Sequence, residues 1–391
     1  MRGGRDLALL LGLTLVALPG CGKSTKQPVA TIAVITPISH GVTAFGRGIR
    51  DSVDLAIREA NRRHAVKGWT LRLAVGDDQS TPDIGAAAAR RLAADPTVAG
   101  VIGTYNSGVA SAVVPELDRA ALVMISPGNT DPGLSRSGGS RPHADYYRVV
   151  TTDAVQGPFG AEYAYRHAGA RTVAVVYENK PVSEKLALAF KDRFTADGGK
   201  IVDVEAVPAG TTEFSAIVPK IAPLRPDLVF FGGEYPLAGP LAAELHKAGL
   251  AAPLMGGDGI FDPKFIELAG PGSDGDLATA VGAPATALPS ARRYINDYKV
   301  ARYREAFSNF GPYAFDAANV LIDALARVLP GRNRIDTAAR RAIERAVQQT
   351  DKEGITGHIA FDRYGDTVTR ELTVYRVSNG VWKQAEIAEF R

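Results

Sequence analysis

One stretch of the chain, residues 101–134, constrains the fold more than any other. Its first apolar run ends at Gly103 and leads into a polar turn, which is followed by apolar residues at helical spacing. A second apolar run, residues 121–125, ends in another polar turn. The pattern predicts strand, helix and strand. In a parallel sheet the carboxyl ends of such strands lie side by side, and ligands bind in the crevice outside them.

Two hydroxyl side chains stand in these polar turns, Ser107 and Thr130. We expect Ser107 to begin the helix and cap it with its side-chain oxygen, while the N–H groups of the first turn favour an anion. Alternatively, Ser107 is only a helix cap and Thr130 only a turn former. Because both follow neighbouring strand ends, we favour a ligand site.

The same alternation of strands and helices extends over most of the chain. It begins at Thr31 and restarts near Tyr147, which predicts parallel sheets flanked by helices. A length of 391 residues suits two lobes rather than one compact core. Thr81 is expected to cap one helix, other helices are expected at residues 157–168, 182–197, 214–221 and 240–248, and a helical region is expected over residues 290–329. Extended runs at residues 358–361 and 372–377 close the sequence, so the chain must pass between the sheets more than once.

Composition excludes several kinds of function. The 45 basic and 42 acidic side chains are well mixed and give a net charge of +3, so nothing indicates nucleic-acid binding. The six histidines lack metal-ligand spacing, and no nucleophile-elbow motif is present. We therefore expect no metal, no cofactor and no enzymatic activity.

The amino terminus has the features of an export signal. Arg2 and Arg5 precede an apolar run at residues 7–18, which predicts a signal peptide over residues 1–20. The following Cys21 is the only cysteine, and its surroundings resemble the lipobox of bacterial lipoproteins, with Pro19 as a departure. The resemblance implies a lipid anchor on Cys21 and a tether over residues 21–30. The alternative is a cleaved signal with an incidental cysteine.

The mature chain as a whole resembles the type I periplasmic binding proteins. The nearest group is the branched-chain amino-acid (Leu/Ile/Val) substrate-binding proteins of ABC transporters. The segments that carry the resemblance are residues 35–37, 44–46, 77–78, 101–107, 124–127 with Thr130, 231–233 and 255–259.

The resemblance implies two Rossmann-like α/β lobes joined by three crossover strands, near residues 148–153, 279–284 and 355–361. Residues 31–149 and 282–356 would form the amino-terminal lobe, and residues 150–281 and 357–391 the carboxy-terminal lobe. It also implies a monomeric, membrane-anchored lipoprotein outside the cytoplasm. Such a protein would close around an amino acid, an aliphatic or branched-chain one being our first choice, and deliver it to an ABC permease and ATPase.

The resemblance further implies roles for particular residues. Ser107 and Thr130, with backbone groups of Gly128 and Asn129, would hold the ligand carboxylate. Asp258, between two glycines at a strand end, would meet the ligand ammonium from the second lobe. Alternatively, Asp258 serves only to form a turn.

Aromatic positions depart from the family pattern. Phe45 stands where the family often has tyrosine, so it would supply an aromatic wall without a hydroxyl. Val182 also replaces a frequent tyrosine, and Tyr177 could compensate from the preceding strand end. Tyr105 is a candidate wall for the ligand side chain, although ordinary packing would explain it equally well.

Glu234 is the third departure, because the family commonly has an aromatic residue there. A second carboxylate beside Asp258 would suit a cation and widen specificity toward basic or polar amino acids. Alternatively, Glu234 faces solvent while Tyr235 fills the cleft. An amide, urea or small aromatic carboxylate thus stays open as the ligand, as does a ligand-sensing receptor of the same fold.

Overall fold

The first part of the chain forms a parallel sheet with helices on its faces. The computed structural model describes residues 27–390, so the predicted signal peptide and Cys21 lie outside the described residues. The elements are β1 Val29–Thr36, α1 Thr43–Arg62, β2 Thr70–Asp77, α2 Pro82–Ala93, β3 Val98–Gly103, α3 Ser107–Arg119, β4 Met124–Ser126 and β5 Tyr146–Arg148. The five strands run parallel in the order β2-β1-β3-β4-β5.

The central strands of this sheet are buried on both faces. Seven of the eight residues of β1 and all six of β3 are buried, as expected when helices cover both sides of a parallel sheet. Gly103 ends β3 with a φ of 140°, and a Cβ atom there would overlap the carbonyl oxygen of Ile35. Glycine therefore allows the chain to turn sharply toward Ser107 at this strand end.

The next part of the chain builds a second sheet. Its elements are α4 Asp153–Arg166, β6 Thr172–Glu178, α5 Pro181–Ala196, β7 Lys200–Val207, α6 Val218–Ile221, β8 Leu228–Gly232, α7 Tyr235–Lys247, β9 Leu254–Gly256, α8 Pro263–Ala269 and β10 Leu277–Val281. Strands β10, β9, β8, β6 and β7 pair in parallel, in that order.

The last part of the chain contributes to both sheets. Its elements are α9 Arg292–Ala301, α10 Gly311–Val328, α11 Thr337–Gln348, β11 Asp351–Glu353, β12 His358–Ala360, β13 Glu371–Ser378 and β14 Val381–Glu389. Helix α10 packs against α1, β3 and β4 of the first sheet. Strands β13 and β14 extend the second sheet beside β10, and both pairings are antiparallel rather than parallel. The chain therefore passes between the two sheets three times.

Several predicted helix limits were wrong. The helical region expected at residues 290–329 holds two helices, and Arg302 ends the first of them, α9, in the left-handed conformation at φ 54°. Helices α4 and α7 begin earlier than expected, with Pro158 and Pro240 inside them rather than at their starts. The helix expected at residues 214–221 shortens to α6, whose second residue is Pro219. Thr81 makes no capping bond; its hydroxyl donates to the carbonyl of Gln79.

Candidate functional site

A cavity of about 530 Å³ lies between the two sheets, where strands β3 and β4 end on one side and β6, β8 and β9 end on the other. Six of the residues expected at the ligand site line this one cavity. They are Tyr105, Ser107, Gly128, Thr130, Glu234 and Asp258. The turns that follow β3 and β4 and the carboxylates of the second lobe therefore border the same cavity. Their contacts with a ligand stay predictions.

Ser107 does not cap its own helix, contrary to expectation. The capping position of α3 is Asn106, and no side-chain capping bond forms there. Instead, Ser107 Oγ accepts the backbone N–H groups of Thr130 at 3.1 Å and Asp131 at 3.2 Å. A serine hydroxyl that accepts two bonds still has its own hydrogen to donate. Ser107 can thus hold the neighbouring loop and donate to a ligand carboxylate.

The loop after β4 has its own internal hydrogen bonds. Ser126 Oγ accepts the N–H groups of Gly128 at 3.2 Å and Asn129 at 2.8 Å. These N–H groups are bonded within the loop in this conformation, so a contact between backbone groups here and a ligand carboxylate stays a prediction. Gly108 lines the cavity in the first turn of α3, where N–H groups have no partner within the helix, and it is the better backbone candidate.

Asn129 positions the site instead of lining it. Its side chain is fully buried, and Nδ2 donates to the carbonyl oxygen of Tyr105 at 2.8 Å and to Thr104 Oγ1 at 3.2 Å. The amide therefore joins the turn after β3 to the turn after β4. On the other side of the loop, the buried guanidinium of Arg148 donates to the carbonyls of Asn129 and Asp131, both at 2.9 Å.

The aromatic residues pack against one another in tilted and edge-on pairs, and of Phe45, Tyr105 and Tyr235 only Tyr105 reaches the cavity wall. Tyr105 lines the cavity, and its ring centre lies 4.8 Å from that of Phe45. Phe45 is fully buried behind Tyr105 and Tyr235, so its expected place in the ligand wall is wrong. Tyr177 is also absent from the lining residues, whereas Val182 is among them. Phe45 supports Tyr105 through packing, and Val182 gives the wall an aliphatic surface.

Asp258 faces the cavity from the second lobe and is 7% exposed. With the Gln156 amide oriented so that both its atoms have partners, Gln156 donates to Asp258 Oδ1 at 3.1 Å. Burial raises the pKa of Asp258 to about 7, and the bond from Gln156 opposes that rise. A buried carboxylate with no cation beside it is a suitable partner for a ligand ammonium.

Glu234 faces the cavity rather than solvent. Its Oε1 accepts a hydrogen bond from Asn106 Nδ2 at 2.5 Å, and Oε2 lies 3.9 Å from Lys180 Nζ. Burial raises the pKa of Glu234 to about 7, and the charge of Lys180 counteracts it. Tyr235 packs edge-on against Phe45 and does not line the cavity. Of the two interpretations of Glu234, the structure favours the one with a carboxylate in the cleft.

Four further charged residues line the cavity and were not expected from the sequence: Asp131, Asp153, Glu178 and Lys180. Asp131 directly follows Thr130, and Glu178 ends β6, so both carry the same strand-end signal that identified Ser107. Burial, and then the charge of Asp258, raises the pKa of Asp153 to about 8. Lys180 Nζ lies 2.8 Å from Glu178 Oε1.

Polar contacts between side chains cross the cleft. Lys185 on α5 lies 2.9 Å from Asp131 Oδ2 in the loop after β4. Asn106, before α3, meets Glu234, before α7. In each contact, one residue follows a strand of the first sheet, and the other lies on a helix or loop next to the second sheet. They hold the lobes together over the cavity.

Two other kinds of site are absent from the part of the chain that the structure describes. Within residues 27–390 no helix combines the length and apolar character needed to cross a membrane. The same residues hold no cluster of three or more histidine, cysteine, aspartate or glutamate side chains placed to bind a metal ion.

The two lobes and the cleft between them define a solute-binding protein, and comparison with known proteins identifies the family. The chain belongs to the periplasmic binding protein family, whose model matches residues 29–381. The predicted fold class, two α/β lobes of type I, is confirmed. The chain is a solute-binding protein and not an enzyme.

Individual relatives cover nearly the whole chain. Leu/Ile/Val-binding protein homolog 3 of Brucella melitensis is 27% identical over 376 residues, which are 96% of this chain and 98% of the relative. Leu/Ile/Val-binding protein BraC3 of Rhizobium johnstonii is 28% identical over 361 residues, 91% and 94% of the two chains. The crystal structure of the leucine-binding protein LivK of Thermotoga maritima has a TM-score of 0.82 at 27% identity and covers 92% of this chain and 98% of its own.

Proposed function

We propose that this protein binds an α-amino acid outside the cytoplasm and delivers it to the permease and ATPase subunits of an ABC importer. The observation that carries the proposal is that Ser107, Thr130 and Asp258 line one cavity from two lobes. Two hydroxyl donors suit the carboxylate of an amino acid, and a buried carboxylate suits its ammonium.

Closure of the lobes would trap the ligand. The contacts from Lys185 to Asp131 and from Asn106 to Glu234 join the lobes, so they can form only when the cleft is narrow. A ligand that touches Ser107 on one side and Asp258 on the other adds contacts that the open form lacks. It would therefore shift the population toward the closed form, which the permease would recognise.

The side chain of the ligand would lie against an apolar wall. Pro82, Val109, Val182 and Leu186 all line the cavity. Relatives named for leucine, isoleucine and valine also favour a ligand whose side chain is largely aliphatic. Both observations support methylene or methyl groups next to this wall.

A thermal-shift screen of the standard amino acids tests the proposal. Each amino acid is compared with its analogue lacking the amine and its analogue lacking the carboxylate. A ligand that binds only the folded state at a hundred times its dissociation constant adds about 2.7 kcal/mol to stability. We expect only intact amino acids to raise the unfolding temperature. Stabilisation by amine-free acids alone would contradict the role of Asp258.

We also propose that Cys21 carries a lipid that anchors the mature chain to the membrane, and that the protein acts as a monomer. The lipobox-like sequence before Cys21 supports the anchor. Expression of the full chain with a labelled fatty acid should label the wild type and not Cys21→Ser, which should leave the membrane fraction. Sedimentation of a form that begins after Cys21 should show a monomer with and without ligand.

A further inference from the structure

The cavity wall carries far more negative than positive side chains. Among the described residues that line it are five carboxylates and one ammonium. The carboxylates belong to Asp131, Asp153, Glu178, Glu234 and Asp258, and the ammonium belongs to Lys180. An amino acid with an aliphatic side chain brings one positive charge and one negative charge, so it would leave this excess unchanged.

Pairing within the protein removes only part of the excess. Asp131 pairs with Lys185, and Glu178 pairs with Lys180 through Oε1. The remaining three carboxylates are those of Asp153, Glu234 and Asp258. One of them is matched by the α-ammonium of an amino acid, and Asp153 can carry a proton because it is 3% exposed in a carboxylate-rich wall. If Asp258 meets the α-ammonium, Glu234 shares Lys180 with Glu178, at 3.9 Å against 2.8 Å.

Unpartnered oxygen atoms mark where an additional cation fits. Glu178 is 2% exposed, and its Oε2 has no hydrogen-bond partner among the described residues. Asn106 is half-buried; its Oδ1 also has no partner among these residues, whereas its Nδ2 is bonded to Glu234. A further unpartnered oxygen, Asp153 Oδ2, belongs to the carboxyl that can carry a proton. The oxygens of Glu178 and Asn106 are acceptors on residues that line the cavity, so the group that satisfies them must donate hydrogen bonds. We call Asn106, Glu178, Lys180 and Glu234 the acidic subsite.

We propose that the acidic subsite binds a cationic group on the ligand side chain, so that the ligand is a basic amino acid such as lysine, ornithine or arginine. The inference rests on the proposed function and specifies its substrate class. The methylene groups of such a ligand would pack on Val182 and Leu186, and its terminal N–H groups would donate to the acidic subsite. The aliphatic wall is thus compatible with a basic amino acid.

The electrostatics of the acidic subsite agree with this assignment. Burial raises the pKa of Glu234 to about 7, and Glu178 and Asp258 add to that rise. A second cation in the cavity would favour the ionised form of Glu234 and lower its pKa. Lys180 counteracts the rise only in part, with its Nζ 3.9 Å from Glu234 Oε2.

Calorimetric titration with lysine and norleucine tests the inference, because norleucine is lysine without the side-chain ammonium. We expect lysine to bind about tenfold or more tightly than norleucine to the wild type. Glu178→Gln and Glu234→Gln should each lower lysine affinity by a larger factor than norleucine affinity, so that most of this preference is lost. Glu184→Gln, an exposed position on α5, is the matched control and should keep the preference. The unfolding temperature of each variant shows whether it folds. If only one of the two glutamate variants folds, that variant alone is enough to test the lysine preference.

The outcomes separate this inference from the proposed function. Norleucine or leucine binding as tightly as lysine would overturn the basic-ligand assignment and leave amino-acid binding intact. Retention of the lysine preference in both Glu178→Gln and Glu234→Gln would also overturn it. Binding of cadaverine, which is lysine without its carboxylate, together with no binding of any amino acid, would overturn the proposed function as well.

Discussion

Arg148 and Asp366 form an ion pair in which Arg148 Nε lies 2.8 Å from Asp366 Oδ1, with side-chain exposures of 0% and 8%. Arg148 ends β5, and Asp366 lies between β12 and β13. The pair therefore ties the first passage between the sheets to the third. The same guanidinium donates to the carbonyls of Asn129 and Asp131, so one side chain holds both these passages and the loop after β4.

Replacing Arg148 by methionine should destabilise the protein by about 2–5 kcal/mol. It removes the donor to Asp366 Oδ1 and to the Asn129 carbonyl, while Arg136 still pairs with Asp366 Oδ2 and the Leu134 N–H still donates to the Asp131 carbonyl. Urea unfolding measures the loss of stability. Arg334→Met, where the side chain is 80% exposed, is the control and should change stability by less than about 0.5 kcal/mol. A loss of stability below about 1 kcal/mol for Arg148→Met would contradict the conclusion that Arg148 ties the two passages together.

Ser107→Ala should weaken both stability and binding. The substitution leaves the N–H groups of Thr130 and Asp131 without their acceptor, at a cost of about 1–3 kcal/mol. It also removes a donor to the ligand carboxylate, so affinity should fall about tenfold or more. Ser140→Ala, an exposed serine, serves as the control in unfolding and titration experiments. Unchanged affinity in a folded Ser107→Ala protein would remove Ser107 from the ligand site.

Asp153→Asn should stabilise the ligand-free protein at high pH. The pKa of Asp153 is raised from 3.8 to about 8, so the folded state holds a proton that the unfolded state releases. The contribution of this carboxyl is fully present below its unfolded pKa and is lost as pH rises through its folded pKa. In urea unfolding, the stability of the variant relative to the wild type should rise by about 1 kcal/mol or more from pH 5 to pH 9. The same stability difference between variant and wild type at pH 5 and pH 9 would contradict the raised pKa of Asp153.

Ligand binding should release protons near neutral pH. Burial raises the pKa of Asp258 to about 7, and an ammonium placed beside this carboxylate would lower that value. Affinity for the amino acid should therefore increase from pH 6 to pH 8. Calorimetry in two buffers of different ionisation heat counts the released protons, to which Glu234 also contributes because its pKa is about 7. Constant affinity with no proton release would show that no buried carboxyl meets the ligand cation.

The alternation of strands and helices could be predicted from the sequence, and with it the location of the site. Ser107, Thr130 and Asp258 follow parallel strand ends, and this topological position brought them to one cavity. Side-chain direction could not be predicted in the same way. Phe45 and Asn129 are also close to the site, yet both point into the interior.

Long-range pairs were the other limit of prediction. Asp131 and Lys185 are 54 residues apart, and Arg148 and Asp366 are 218 apart. No local pattern of charge links such residues, because their proximity depends on how the chain passes between the sheets. The hydroxyl bonds to loop N–H groups were missed for a similar reason, since Ser107 and Thr130 come together only in the folded sheet.

Titration of the wild type and Asp258→Asn with an amino acid and its amine-free analogue tests the central claim most directly. The amino acid is the best ligand from the thermal-shift screen. We expect the wild type to bind it and not the analogue, and we expect Asp258→Asn to lose about a hundredfold in affinity for the amino acid. Equal binding of the two compounds, or an unchanged affinity in Asp258→Asn, would contradict a cleft that grips both ends of an amino acid.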